Sequence, residues 1–184
     1  MKQALLVIDV QNDYFKGGKC ELVNPDTALA NINQLESCFL ETNQLIIYIQ
    51  HIKNDKQADF FAKNSEGARL HSNLSLDSNS IIISKSYPNS FIETNLEEIL
   101  KDWEIEQLVI TGMMTHMCVD STTRAAKEKG YQPILIQDAT ATKDLDCQGQ
   151  IVSVEVVQKS FISALQNFSQ IKTTAEFLIN KDSI

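Results

Sequence analysis

Short apolar runs alternate along the chain with segments in which apolar residues recur every three or four positions. The first run, "ALLVIDV" (4–10), has the length of a buried strand and ends in an acid. After the turn-like "FKGGK" comes "NPDTALANINQLESCFLETN", with Asn24 as N-cap, Pro25 at the first helical position, and Leu29, Ile32, Leu35 and Phe39 on one face. "QLIIYIQ" (44–50), "SIIISK" (80–85), "QLVITG" (107–112) and "PILIQDA" (133–139) read as strands two to five, and "SQIKT" as a short sixth. Between them the pattern predicts three helices. One opens with a Thr94–Glu97 capping box and runs to about Trp103, and one begins near Cys118 and stops at Gly130. The third is about 20 residues long, starts near Asp146 and packs Ile151, Val154, Val157, Phe161 and Leu165. "TAEFLIN" (174–180) is a last helical turn. Residues 51–79 lose the periodicity, a long polar connection of the kind that shapes a site.

Strands and helices alternating at this spacing predict one domain over residues 1–184. Its fold class is α/β: a three-layer α/β/α sandwich around a six-stranded, mainly parallel, doubly wound sheet of strand order 3-2-1-4-5-6. The length of 184 residues and 43% hydrophobic content suit that single core. A net charge of −8, with 16 Lys and Arg scattered along the chain, repels phosphate backbones and anionic lipid, so neither nucleic acid nor membrane is an expected partner. The opening "MKQALLVIDVQND" is too short an apolar run for a secretion signal or a membrane span, which sets a cytoplasmic expectation. Four cysteines, at 20, 38, 118 and 147, form no C-x-x-C pair and suit a reducing compartment.

In such sheets ligands bind beyond the carboxyl ends of the strands. Asp9 closes strand one, Lys85 closes strand three, and Cys118 opens the helix after strand four. Each alone has an ordinary structural reading: a turn acid, a surface lysine, a small buried hydrophobe. On one rim they form a chemical unit. Lowering a thiol from about 8.5 to roughly 6 takes about 3.4 kcal/mol of differential stabilisation. A helix N-terminus supplies up to ~2 kcal/mol, so an ammonium must provide the rest, while a carboxylate accepts and later returns the proton. "GMMTHMC" offers successive backbone N–H groups to an oxyanion, with Gly112 expected to permit a sharp chain reversal.

The segments "LLVIDVQNDY", "SKSYPNSF", "ITGMMTHMCVDSTTRAA" and "QDATAT", in that order, resemble the isochorismatase-like cysteine hydrolase superfamily, and the two middle segments look closest to its streptothricin-hydrolase-like branch. The resemblance implies a catalytic triad of Asp9, Lys85 and Cys118, and a cis peptide between Met113 and Met114. It also implies an oxyanion hole from the backbone amides of Met114 and Cys118, no organic cofactor, and a homodimer or homotetramer. Metal-binding nicotinamidases of the superfamily carry an Asp-x-His cluster after strand two. Here "YIQHIKND" puts His51 and Lys53 at those places, and His51 and His71 lack metal-site spacing, so no metal is expected. Tyr14, Phe15, His51, Tyr87, Phe91 and His116 flank the triad in sequence and are the candidate substrate contacts, equally able to serve as lid packing. Cys20, Cys38 and Cys147 read as structural.

The expected activity is hydrolysis of a C–N, amide-type bond in a small molecule through a thioester on Cys118. The alternatives are an isochorismatase-type ether hydrolase, or a non-hydrolytic thiol redox or scaffold protein on the same fold. A dinucleotide-binding domain lacks its G-x-G-x-x-G, and a haloacid-dehalogenase-type phosphotransferase needs an acid where Gln11 stands.

Overall fold

In the computed structural model, which describes residues 1–55 and 57–179, six parallel strands form one sheet. They are β1 (Gln3–Ile8), β2 (Leu45–His51), β3 (Ile81–Lys85), β4 (Gln107–Met113), β5 (Gln132–Ala141) and, after the short hairpin strands β6 (Leu145–Cys147) and β7 (Gln150–Val152), β8 (Gln170–Lys172). The order is β3-β2-β1-β4-β5-β8, the predicted one, with β8 standing sixth because the hairpin precedes it. The helices are α1 (Pro25–Glu41), α2 (Leu96–Asp102), α3 (Asp120–Glu128), α4 (Val154–Leu165) and α5 (Thr174–Ile179). Of the predicted turn at 174–180, Asn180 lies outside the described residues.

Side chains alternate across a strand, so a sheet covered on both faces needs apolar residues at every position. Leu5, Val7, Ile46, Tyr48 and Val109 pack toward α1 and α5. Ala4, Leu6, Ile8, Ile47, Ile49 and Ile110 pack toward α2, α3 and α4. Each such Leu, Ile or Val contributes roughly 1.5–3 kcal/mol on burial. Among the described residues, no helix is long and apolar enough to cross a membrane.

Three local expectations change. The predicted 20-residue helix from Asp146 is a hairpin followed by the 12-residue α4. Gln148 (φ 55°) and Gly149 (φ 82°) are consecutive left-handed residues, the backbone of a tight turn that joins two antiparallel strands and cannot continue a helix. Ile151, assigned to the packed face, is 67% exposed as a result. The Thr94–Glu97 capping box does not form. Thr94 Oγ1 donates to Ser90 O (2.6 Å), Glu97 pairs with Lys101 and Lys129, and Asn95 precedes the helix without a side-chain cap. Gly112 turns no corner: it lies within β4 at φ 114°, where a Cβ would sit 2.0 Å from Ile8 O, so its role is close approach to β1.

Candidate active site

The parallel register brings the site together. His51 and Lys85 end β2 and β3 as register partners, so their side chains leave the sheet on the same face. Asp9 follows β1 directly and leaves the extended conformation at φ 51°, a region that Asp tolerates better than most residues. Its N–H donates to Ile49 O on β2 (3.0 Å). Beyond β4 the chain forms one wide π-type turn, Thr115–Val119, before α3, and Cys118 lies in that turn instead of opening a regular helix. The Met113–Met114 peptide ahead of it is cis.

Lys85 Nζ stands 2.8 Å from Asp9 Oδ2, with both side chains fully buried. The same ammonium donates to Pro88 O (3.0 Å) and lies 3.5 Å from His51 Nδ1. His51 Nδ1 is 3.9 Å from Asp9 Oδ2 and 4.0 Å from Cys118 Sγ. One ligand atom each from Asp9, His51 and Cys118 falls within 4.8 Å of the others, so among the described residues these three could hold a metal. Spacing along the chain hides this set because its members come from three different elements.

Electrostatics revise the expected thiolate. Burial pushes the Cys118 thiol well above its ordinary range, and the Asp9 carboxylate pushes it further, outweighing the lowering by Lys85. The resting sulfur is a protonated thiol, 4% exposed. Lys85 has its pKa raised: burial works against its charge, but Asp9 and Cys118 stabilise it. Burial lowers His51, and Asp9 opposes that only in part, so the imidazole is neutral at pH 7. A cavity of about 570 Å³ has Gln50, Ile52, Arg69, Ser84, Lys85 and Ser86 in its wall; of the cluster only Lys85 borders it, and Asp9, His51 and Cys118 do not.

The expected substrate contacts divide. Tyr14 is buried close enough to Asp9 and Cys118 for their charges to raise its pKa, after burial itself, and its ring lies 4.6 Å from Phe61. Phe15 packs on the His71 ring (4.1 Å). Tyr87 is exposed. Phe91 is not at the site: it stacks on Tyr131 (6.1 Å), just before β5, at the opposite end of the sheet. His116 turns toward Thr142 Oγ1 (2.6 Å) and the edge of Phe161 instead of the cluster. Of the remaining thiols Cys20 is buried, Cys38 half-buried and Cys147 exposed, and all are free.

Four supporting residues escape sequence reasoning. Gln11 Nε2 donates to His51 O (2.9 Å) and Ala68 O (2.8 Å), and its Oε1 accepts from His51 N–H (2.8 Å), clamping β2 to the connection at 68. Asp13 accepts from Phe61 N–H (2.7 Å) and Lys19 N–H (3.1 Å), tying both loops above the strand ends. Ser90 N–H donates to Thr122 Oγ1 (3.1 Å), anchoring the turn whose Pro88 carbonyl holds Lys85 to α3. Their only sequence signal is polarity beside a strand end, which surface loops share.

A doubly wound sheet with a thiol, an ammonium, a carboxylate and an imidazole gathered beyond its strand ends defines an α/β protein with a cysteine-centred site. Family comparison agrees: the profile described as "Isochorismatase domain" matches residues 3–175, and the chain belongs to the isochorismatase family of hydrolases. An uncharacterized isochorismatase family protein of Bacillus subtilis, YddQ, is 41% identical over 179 residues, covering 97% of this chain and 99% of YddQ. A streptothricin hydrolase of Streptomyces noursei is 29% identical, over 78% of this chain and 56% of its own. The ureidoacrylate amidohydrolase RutB of Klebsiella pneumoniae is 27% identical, over 76% and 73%. The crystal structure of a putative isochorismatase hydrolase from Oleispira antarctica superposes with a TM-score of 0.93 at 35% identity, covering 97% of this chain and 96% of that one.

Proposed function

We propose that this protein hydrolyses a C–N, amide-type bond of a small molecule through a thioester on Cys118, with Asp9 and Lys85 as its partners. The observation that carries the reading is the buried contact of Lys85 with Asp9, with both charges acting on the Cys118 thiol. A buried, fully desolvated ion pair is expensive to keep, and a pair held against a thiol is well suited to proton transfer. The similarity to RutB, named as an amidohydrolase, favours C–N chemistry over an ether.

Because the resting thiol is protonated, proton transfer is coupled to substrate arrival. Asp9 takes the thiol proton as Cys118 Sγ attacks the carbonyl carbon, and the Lys85 ammonium balances the charge that moves through the site. The backbone amides of Met114 and Cys118 receive the oxyanion. Asp9 then returns the proton to the departing amine, leaving a thioester. Water enters, gives its proton to the same carboxylate, and releases the acid and the thiol. The chemistry needs no organic cofactor.

A panel of primary amides, ureido and carbamoyl compounds and one enol ether, read by ammonia or acid release, tests this. Cleavage of a C–N compound is expected, with loss in Cys118→Ala and Asp9→Asn and a trapped acyl adduct on Cys118 by mass spectrometry. Turnover that survives both substitutions would overturn it.

A further inference from the structure

The cluster at the strand ends presents a second chemistry that hydrolysis does not require. We propose that Asp9, His51 and Cys118 form a reversible site for one zinc-class divalent cation, and that the bound ion closes the protein's reactive centre.

The donor set is one thiolate sulfur, one imidazole nitrogen and one carboxylate oxygen, the combination that zinc and its neighbours in the first transition row select over magnesium or calcium. In tetrahedral geometry, metal–ligand distances of about 2.0 Å to N and O and about 2.3 Å to S put the ligand atoms roughly 3.3–3.6 Å apart. Here they lie 4.0 Å apart for Cys118 Sγ and His51 Nδ1, and 3.9 Å for His51 Nδ1 and Asp9 Oδ2. The third side, between Asp9 and Cys118, lies within 4.8 Å, so contraction by about half an ångström on two sides and up to about 1.3 Å on the third, by side-chain rotation, closes the set around an ion.

Two further observations point the same way. Asp9 is wholly buried, and among the described residues neither of its carboxylate oxygens accepts a hydrogen bond beyond the ion pair that Oδ2 makes with Lys85, so the carboxylate keeps lone pairs open to a ligand. Gln11 pins the His51 backbone through both its N–H and its carbonyl, which fixes where the strand end presents the imidazole to Asp9 and Cys118. On binding, three metal–ligand bonds form as waters leave the hydrated ion, and the S–H of Cys118 breaks, its proton passing to solvent. No electron is transferred. The Lys85 ammonium, 2.8 Å from the carboxylate, repels the incoming cation, so affinity falls short of a dedicated structural zinc site and exchange is reversible.

The test is optical and independent of turnover, so it stands whether or not the hydrolase reading does. Chelator-treated full-length protein is titrated with Co²⁺, then with Zn²⁺. One equivalent of Co²⁺ should give the near-ultraviolet thiolate-to-cobalt charge-transfer band and visible bands of tetrahedral cobalt, both displaced by Zn²⁺. Cys118→Ala should abolish the charge-transfer band, His51→Ala should weaken Co²⁺ binding at least tenfold, and His71→Ala should leave it unchanged. Should His51→Ala fail to fold by circular dichroism, His51→Gln supplies the same measurement with the ring's volume largely kept. No thiolate band at stoichiometric Co²⁺, or a band indifferent to both His51 variants, overturns the proposal.

Discussion

Lys85 Nζ and Asp9 Oδ2 meet at 2.8 Å with neither side chain reaching solvent. The contact joins an edge strand to the centre of the sheet across β2, because Lys85 ends β3 and Asp9 follows β1. Removing one member strands a buried charge. Lys85→Met is expected to cost about 3–5 kcal/mol in urea unfolding, and Lys85→Met with Asp9→Asn together less than the sum of the two. Additive losses would mean that the charges do not depend on each other.

Alkylation reports on the thiol. Burial and Asp9 hold Cys118 protonated, so iodoacetamide at pH 7 should modify the exposed Cys147 well before Cys118, as read by peptide mass mapping. Labelling of Cys118 should accelerate in Asp9→Asn, which removes the negative charge. Preferential labelling of Cys118 in the wild type would contradict a protonated resting state.

Gln11 carries three buried hydrogen bonds to His51 and Ala68. Gln11→Ala leaves those backbone groups without partners, and about 2–4 kcal/mol of stability should go with it in denaturant titration. Hydrogen exchange should rise first at His51 and in the 58–70 connection.

At Gly112 a methyl group has no room, since Ile8 O stands 2.0 Å from the would-be Cβ, and φ is 114°. Gly112→Ala should destabilise the fold by about 3 kcal/mol or more, because only backbone movement between β1 and β4 relieves the clash. A thermal midpoint within a degree of the wild type would show that this approach is soft.

Burial lowers all three histidines, His51, His71 and His116, below their ordinary value of 6.5. Around His51, Asp9 opposes that shift while Lys85 and Lys53 reinforce it. For His71 the opposing charge is Asp26, and for His116 it is Asp120, with Lys143 reinforcing. Below pH 6.5 the unfolded chain therefore binds protons that the folded chain refuses, and stability falls as pH falls. The thermal midpoint should decline from pH 7 to 5, with a shallower slope in His51→Gln. A midpoint that climbs over that interval would refute the assignment.

The predicted strand order appears because the central runs, such as "ALLVID" and "QLVITG", are apolar enough to be buried, parallel crossovers leave few arrangements, and the polar "SQIKT", with no buried residue in its strand, takes an edge. The positions of Asp9 and Lys85 follow from the same reading, since each sits where a run ends, and Cys118 lies in the turn that follows the fourth run. His51 appears in the sequence as a neighbour of the site, but its contact with all three came from register: pairing with Lys85 fixes which face it takes. Phe91 lies six residues after Lys85 yet points to the other end of the sheet, a direction that chain distance does not encode. The hairpin at 145–152 is hidden in the sequence because Ile151 and Val154 share a helical spacing, whereas the left-handed Gln148 and Gly149 that precede them make a turn.

By itself, then, the order of residues determined the layers, the strand succession and the rim on which the reactive groups stand, all consequences of local periodicity and of where apolar runs stop. Tertiary packing alone decided the protonation of Cys118, the inclusion of His51 and the clamps made by Gln11 and Asp13. Those depend on desolvation and on atoms brought within 4 Å across different strands, quantities that exist only once the chain has closed on itself.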